Sequence, residues 1–152
     1  MTIQAKYVHT NLVAKDWRKL ARFYREVFGC TLVPPERDLQ GEAIEQGTGL
    51  PGVHLRGAHL RLPGYEVDGP MLEIFSYEPM GIETSKAINR PGFAHIAFLV
   101  EDVESARALV LAHGGQPIGE IVTTPIGDTG HFYQWCYVTD PEGNALELQV
   151  KK

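Results

Sequence analysis

The chain has 152 residues, of which 43% are hydrophobic and 22% charged, and a formal net charge of −5. That length suits one ordinary domain, or two small halves sharing a core, and the composition is that of a globular protein. No apolar run approaches the ~18 residues of a membrane span, and no Lys/Arg cluster forms a stripe that could track phosphates, so neither a membrane nor nucleic acid is expected as a partner.

The opening residues "MTIQAKYVHT" lack the apolar centre of a secretion signal, which leads to an expectation of a cytoplasmic protein. Cys30 and Cys136 are then expected as free thiols. A strand-like run at Tyr7–Val13 comes first. After Asp16 the period changes, and Trp17, Leu20, Tyr24, Val27 and Phe28 recur at helical spacing. Asp16, like Asp102 later in the chain, is a natural N-cap, and Gly29, like Gly115, is placed as a helix stop. Residues 34–52, "PPERDLQGEAIEQGTGLPG", are polar and rich in turn formers, and read as a long loop. "GVHLRGAHLRLP" and "GPMLEIFSY" then read as strands joined by the turn "LPGYEVDGP".

The pattern then begins again. Residues 7–33 align without gaps to residues 93–119, setting His9 on His95, Asp16 on Asp102 and Gly29 on Gly115. Val103, Ala106, Leu109 and Val110 mark the second helix, with His113 at its exposed C-terminal end, where a cation suits the helix dipole. "HFYQWCYVTD" and "NALELQV" follow as strands around the turn "DPEGN". "MLEIF" at 71–75 matches "ALELQ" at 145–149. His9 precedes Glu73 by 64 residues and His95 precedes Glu147 by 52, so the first half carries about 12 extra residues, which fit in the 34–52 loop. The predicted architecture is α+β: two βαβββ modules, about 5–80 and 91–150, forming a single domain over 1–152. Their curved sheets are expected to be mostly antiparallel and to enclose a central metal cavity, with one main helix per module outside.

Alternation along strands puts Tyr7, His9 and Asn11, then Met71, Glu73 and Phe75, then Phe93, His95 and Ala97, then Ala145, Glu147 and Gln149 on one face. Val8, Leu12, Leu72, Ile74, Ala94, Ile96, Phe98, Leu146, Leu148 and Val150 occupy the other, under the helices. A glutamate in mid-strand is costly unless a cation or several donors meet it. One histidine or one such glutamate is more often an ordinary hydrogen-bonded or ion-paired residue. Four at matched places in a duplicated unit favour a metal: if a pseudo-twofold brings the halves together, His9, Glu73, His95 and Glu147 supply two imidazoles and two carboxylates. This donor set suits Zn²⁺, Ni²⁺, Mn²⁺, Co²⁺ or Fe²⁺ with positions left for substrate.

"VHTNLVAKDWRKLARFYREVFG", "LEIF", "GFAHIAFLVEDVESARA" and "YVTDPEGNALELQ" together resemble the vicinal oxygen chelate superfamily over nearly the whole chain. That group includes glyoxalase I, methylmalonyl-CoA epimerase, fosfomycin- and bleomycin-resistance proteins and extradiol dioxygenases. The resemblance implies metal ligands at His9, Glu73, His95 and Glu147. A glutamate at position 73 is similar to the glyoxalase I-like branch, whereas dioxygenases do not use that position. It implies isomerase, epimerase or lyase chemistry by enolisation of a small oxygenated metabolite, with Glu147 or Glu73 as the base. An extradiol dioxygenase, a fosfomycin-type transferase and a non-catalytic drug-binding protein are the alternatives. The resemblance also implies a homodimer and a small-molecule substrate. Asn11, Phe75, Phe93, His131, Tyr133 and Trp135 are candidate substrate contacts, although aromatics at strand spacing are more often core. Tyr137 could line the same pocket. His54 and His59 read as strand-edge residues, and Arg56 and Arg61 as solvated ones rather than anchors for an acidic substrate.

Overall fold

A computed structural model describes residues 2–152, and the chain divides into two compact units, one ending at Ile82 and the other beginning at Glu83. The fold is α+β, with two four-stranded mixed sheets and three helices. No helix among the described residues is long and apolar enough to cross a membrane.

The first unit runs β1 (His9–Val13), α1 (Trp17–Phe28), β2 (Thr31–Gln40), α2 (Glu42–Thr48), β3 (His54–Arg61) and β4 (Met71–Glu78). α1 begins where expected, because the Asp16 carboxylate accepts the Lys19 N–H at 3.0 Å. It ends at Gly29, left-handed at φ 71°, where the N–H groups of Gly29 and Cys30 close on the carbonyls of Arg25 and Tyr24. Its apolar stripe of Trp17, Leu20, Ala21, Phe23 and Tyr24 is buried. α1 packs on β3 and β4, whose Ala58, Leu60, Leu72 and Ile74 are also buried. Each large side chain so buried contributes about 1.5–3 kcal/mol.

The second unit repeats this plan with β5 (His95–Leu99), α3 (Val103–Ala112), β6 (Val122–Pro125), β7 (Phe132–Thr139) and β8 (Ala145–Lys151). Asp102 caps α3 by accepting the Ser105 N–H at 2.8 Å. His113 stands at the C-terminal end, its Nδ1 2.9 Å from the Leu109 carbonyl. The left-handed glycine there is Gly114 (φ 93°) rather than the expected Gly115. Gly115 is required for space: a Cβ on it would lie 2.3 Å from the Thr139 carbonyl oxygen and 2.5 Å from Val110.

The sheet orders are β1-β4-β3-β2 and β5-β8-β7-β6. Two of the three pairings in each are antiparallel, as expected. The first strand of each module, however, lies parallel and adjacent to the last. The strands begin at His9 and His95, so Val8 and Ala94 fall before them and are exposed, not under a helix.

The stretch 34–52 departs from the sequence expectation of a loop. β2 continues to Gln40, with a register irregularity between Val33 and Arg37, and α2 follows with left-handed Gly49 at its end. Leu39 and Ile44 pack against Val53, Leu55 and Phe75, a small cluster on the sheet face opposite α1. Pro34, Pro35, the charges and the glycines hide this structure from a periodicity reading.

The "DPEGN" turn has a plain structural basis. Asp140 is buried, and its Oδ1 accepts the N–H groups of Glu142 (2.9 Å) and Asn144 (3.0 Å) while Oδ2 accepts Asn144 Nδ2 (2.8 Å). The carboxylate thereby shapes the β7–β8 turn.

Candidate metal-binding pairs

Strand order explains why histidine and glutamate meet within each module. β1 runs beside β4 with Asn11 opposite Glu73, and strand alternation puts His9 on the same face two residues earlier. His9 Nε2 lies 3.1 Å from Glu73 Oε2. In the second unit β5 runs beside β8 with Ala97 opposite Glu147, and His95 Nε2 lies 2.9 Å from Glu147 Oε2. Both glutamates are largely buried, at 16% and 18% side-chain exposure, and each meets an imidazole there. Nitrogen and carboxylate oxygen donors without thiolate are the chemistry of a divalent transition-metal site. Two donors per module do not complete a coordination sphere, and among the described residues no group of three or more His, Cys, Asp and Glu side chains is arranged to hold an ion.

Around Glu73 the structure adds a residue the sequence reading had set at the strand edge. β3 pairs with β4 so that His59 stands opposite Glu73, and His59 Nε2 lies 2.9 Å from Glu73 Oε1. Asn11 Nδ2 approaches Oε2 at 3.4 Å. Burial lowers the His59 pKa below the usual imidazole value, assisted by Arg37 and His9 and opposed by Glu73. Around Glu147 the residue in the corresponding place is Tyr137. Its ring lies 5.0 Å from that of His95, and burial, with the Glu147 charge, raises its phenol pKa, so it is un-ionised at neutral pH. Both residues were findable: each stands across a hairpin from a glutamate, but the strand register had to be known.

The other sequence candidates divide. Trp135 and Tyr133 lie on β7 opposite Gln149 and Lys151, on the same sheet face as Glu147. Trp135 Nε1 donates to Thr124 Oγ1 at 3.1 Å, and its ring stands edge-on to Tyr137. Phe75 shares the Glu73 face but is 5% exposed within the cluster under α2, with its ring edge-on to His59 at 5.9 Å. Phe93 precedes β5 and is 98% exposed, and His131 lies in the exposed turn before β7, where its N–H meets Thr129 Oγ1. Arg61 lies two residues beyond His59 on the Glu73 face of β3, and its Nε is buried without a hydrogen-bond partner among the described residues. Arg56 is on the opposite face, reaching Glu78 at 3.4 Å. His54 is on that same face and contacts Asp38.

Residues 6–148 match the Glyoxalase/Bleomycin resistance protein/Dioxygenase superfamily, and the chain belongs to it. The structure is similar to a glyoxalase family protein from Bacillus cereus, with TM-score 0.83, 20% identity, and coverage of 99% of this chain and 96% of that one. It is also similar to a glyoxalase-related enzyme from Fulvimarina pelagi, with TM-score 0.57, 22% identity, and 97% and 88% coverage. A glyoxalase/bleomycin resistance protein/dioxygenase family enzyme from Burkholderia phytofirmans PsJN aligns with TM-score 0.58, 15% identity, and 96% and 98% coverage. At these identities the likeness is one of fold. No match is found among curated proteins.

Proposed function

We propose that the chain is a metal-dependent enzyme of the glyoxalase-like kind, acting on a small oxygenated metabolite by proton transfer next to a carbonyl. The observation that carries this reading is the repeated pair: an imidazole Nε2 at 3.1 and 2.9 Å from a largely buried glutamate oxygen, at the same strand positions of both modules. His9, Glu73, His95 and Glu147 would together hold one divalent ion, whether the two modules belong to one chain or to two copies. When bound, the ion would polarise the substrate oxygens and acidify the adjacent C–H.

The chain's own groups do the rest. Glu147, held through Oε2 by His95, takes the proton from carbon through its carboxylate and returns it to the product. Arg61, on the Glu73 face of β3, would offer its guanidinium to an anionic or carbonyl oxygen of the substrate. The aromatic rings of Trp135 and Tyr137 offer an apolar wall on the Glu147 face. A homodimer belongs to the same proposal, supported by large apolar side chains left in water such as Phe93, Ile82 and Leu99.

Metal analysis of the purified protein is the first test. A bound divalent ion and a metal-dependent rise in thermal midpoint are expected; neither being seen would favour a non-catalytic binding protein. Oxygen uptake with a panel of catechols should be absent, since uptake would make the protein a ring-cleaving dioxygenase. Glu147→Gln should retain the fold and lose turnover, and an active Glu147→Gln protein would refute the assigned base.

A further inference from the structure

We infer that His59 is a positioning residue for Glu73, holding one carboxylate oxygen so that the other stays directed to the side of His9. The inference rests on the metal-dependent reading above and assigns a role to a residue outside the four-ligand set.

Three features carry it. His59 stands directly across the β3–β4 ladder from Glu73, and its Nε2 lies 2.9 Å from Oε1, while His9 Nε2 lies 3.1 Å from Oε2. Each oxygen therefore has its own imidazole. The terminal torsion of a glutamate is otherwise broad, so an unsupported carboxylate would sample many orientations. His59 is in turn fixed: its side chain is 19% exposed and its ring stands edge-on to Phe75, itself locked under α2 by Val53, Leu55, Leu39 and Ile44. A contact to Oε1, not to the side that His9 approaches, is what a supporting hydrogen bond requires, since a further metal donor would have to share that side with His9.

The second module shows what the contact adds. There His95 meets Glu147 Oε2 in the same manner, but the residue across the β7–β8 ladder is Tyr137, and no imidazole among the described residues engages Oε1. The two modules thus hold equivalent carboxylates differently: Glu73 is clamped through both oxygens, Glu147 through one. A fixed carboxylate suits a permanent ligand, and groups that orient a ligand in this way are typically worth about 10–100-fold in metal affinity.

The test is titration of the metal-free full-length protein with Co²⁺ alone, followed by calorimetry and by the visible Co²⁺ absorption bands, in wild type, His59→Leu, His59→Gln and Glu73→Ala. His59→Leu should weaken Co²⁺ binding by roughly 10–100-fold and shift the bands, because Glu73 loses its hold on Oε1. His59→Gln, whose amide N–H can still donate, should recover most of the affinity. If His59→Leu does not fold, His59→Phe, which keeps ring packing against Phe75, takes its place. Affinity unchanged in His59→Leu while Glu73→Ala loses it overturns the role of His59 alone. A Gln variant as weak as Leu also overturns it. Wild-type protein that takes up no Co²⁺ overturns the metal reading, and the positioning role with it.

Discussion

The buried Asp140 offers a quantitative test of how the "DPEGN" turn supports the site. Its carboxylate accepts three hydrogen bonds, from Glu142 N–H, Asn144 N–H and Asn144 Nδ2, at 2.8–3.0 Å. Hydrogen bonds to a charged group are worth about 1.5–3 kcal/mol each when the partners are fully buried. Glu142 and Asn144 are only half-buried, so water can re-satisfy the donors in part. A figure near 1 kcal/mol per bond is therefore appropriate, and Asp140→Ala should cost about 3 kcal/mol. At roughly 2–4 °C per kcal/mol for a chain of this size, the thermal midpoint should fall by about 6–12 °C. Asp140→Asn keeps an acceptor for the two backbone N–H groups but sets its own amide N–H₂ against a donor, and should lose about 1 kcal/mol. Circular dichroism melts of the three proteins measure both. The turn also sets the β7–β8 register that puts Tyr137 opposite Glu147. A midpoint drop below about 2 °C for Asp140→Ala would show that the carboxylate does not organise the turn.

Gly57 lies on the Glu73 face, where a Cβ would stand 2.1 Å from the Ile74 carbonyl oxygen and 2.2 Å from the Phe75 ring. Gly57→Ala should therefore cost about 1–3 kcal/mol and displace Phe75; an unaltered melt would contradict that packing. Cys30, whose thiol burial pushes up to about 12, and the fully buried Cys136 should resist iodoacetamide at pH 8 until denaturant is added. Stoichiometric labelling of the native protein within minutes would refute this. Asp38 is held below the usual carboxyl value by His54, with Arg56 assisting. Because its folded pKa is depressed, its contribution is present above the ordinary value of 3.8 and lost as pH falls through the lower folded value. Asp38→Asn should flatten the acid side of a midpoint-against-pH curve over that window, and an unchanged curve would exclude the pair as a contributor.

Much of the plan is local and so can be read from the chain. Asp16 and Asp102 announce their helices because a cap is satisfied within one turn, and both caps form. The alternation of "MLEIF" and "ALELQ" separates a helix-packed face from a polar one, and Leu72, Ile74, Leu146 and Leu148 are buried accordingly. The internal repeat makes the two histidine–glutamate pairs recognisable, since a duplicated module repeats its side-chain positions. Helix α2 escaped because its seven residues carry little periodic signal and gain their stability from Ile44 packing on the cluster of Val53, Leu55 and Phe75, residues that periodicity within the helix does not reveal.

What the tertiary structure alone decided is who stands beside whom. Nothing local to "VHTNLV" says that β1 joins the sheet parallel to β4, about 60 residues away, yet that pairing brings His9 against Glu73. Nothing local to "GAHLR" says that His59 faces Glu73 while Tyr137 faces Glu147, because register across a hairpin is set by the turn and by burial of the opposite face. Residue type and period are properties of neighbours in the chain. Strand order and register are settled by the competition among distant pairings for one buried face, and the surroundings of Glu73 and Glu147 are a product of that competition.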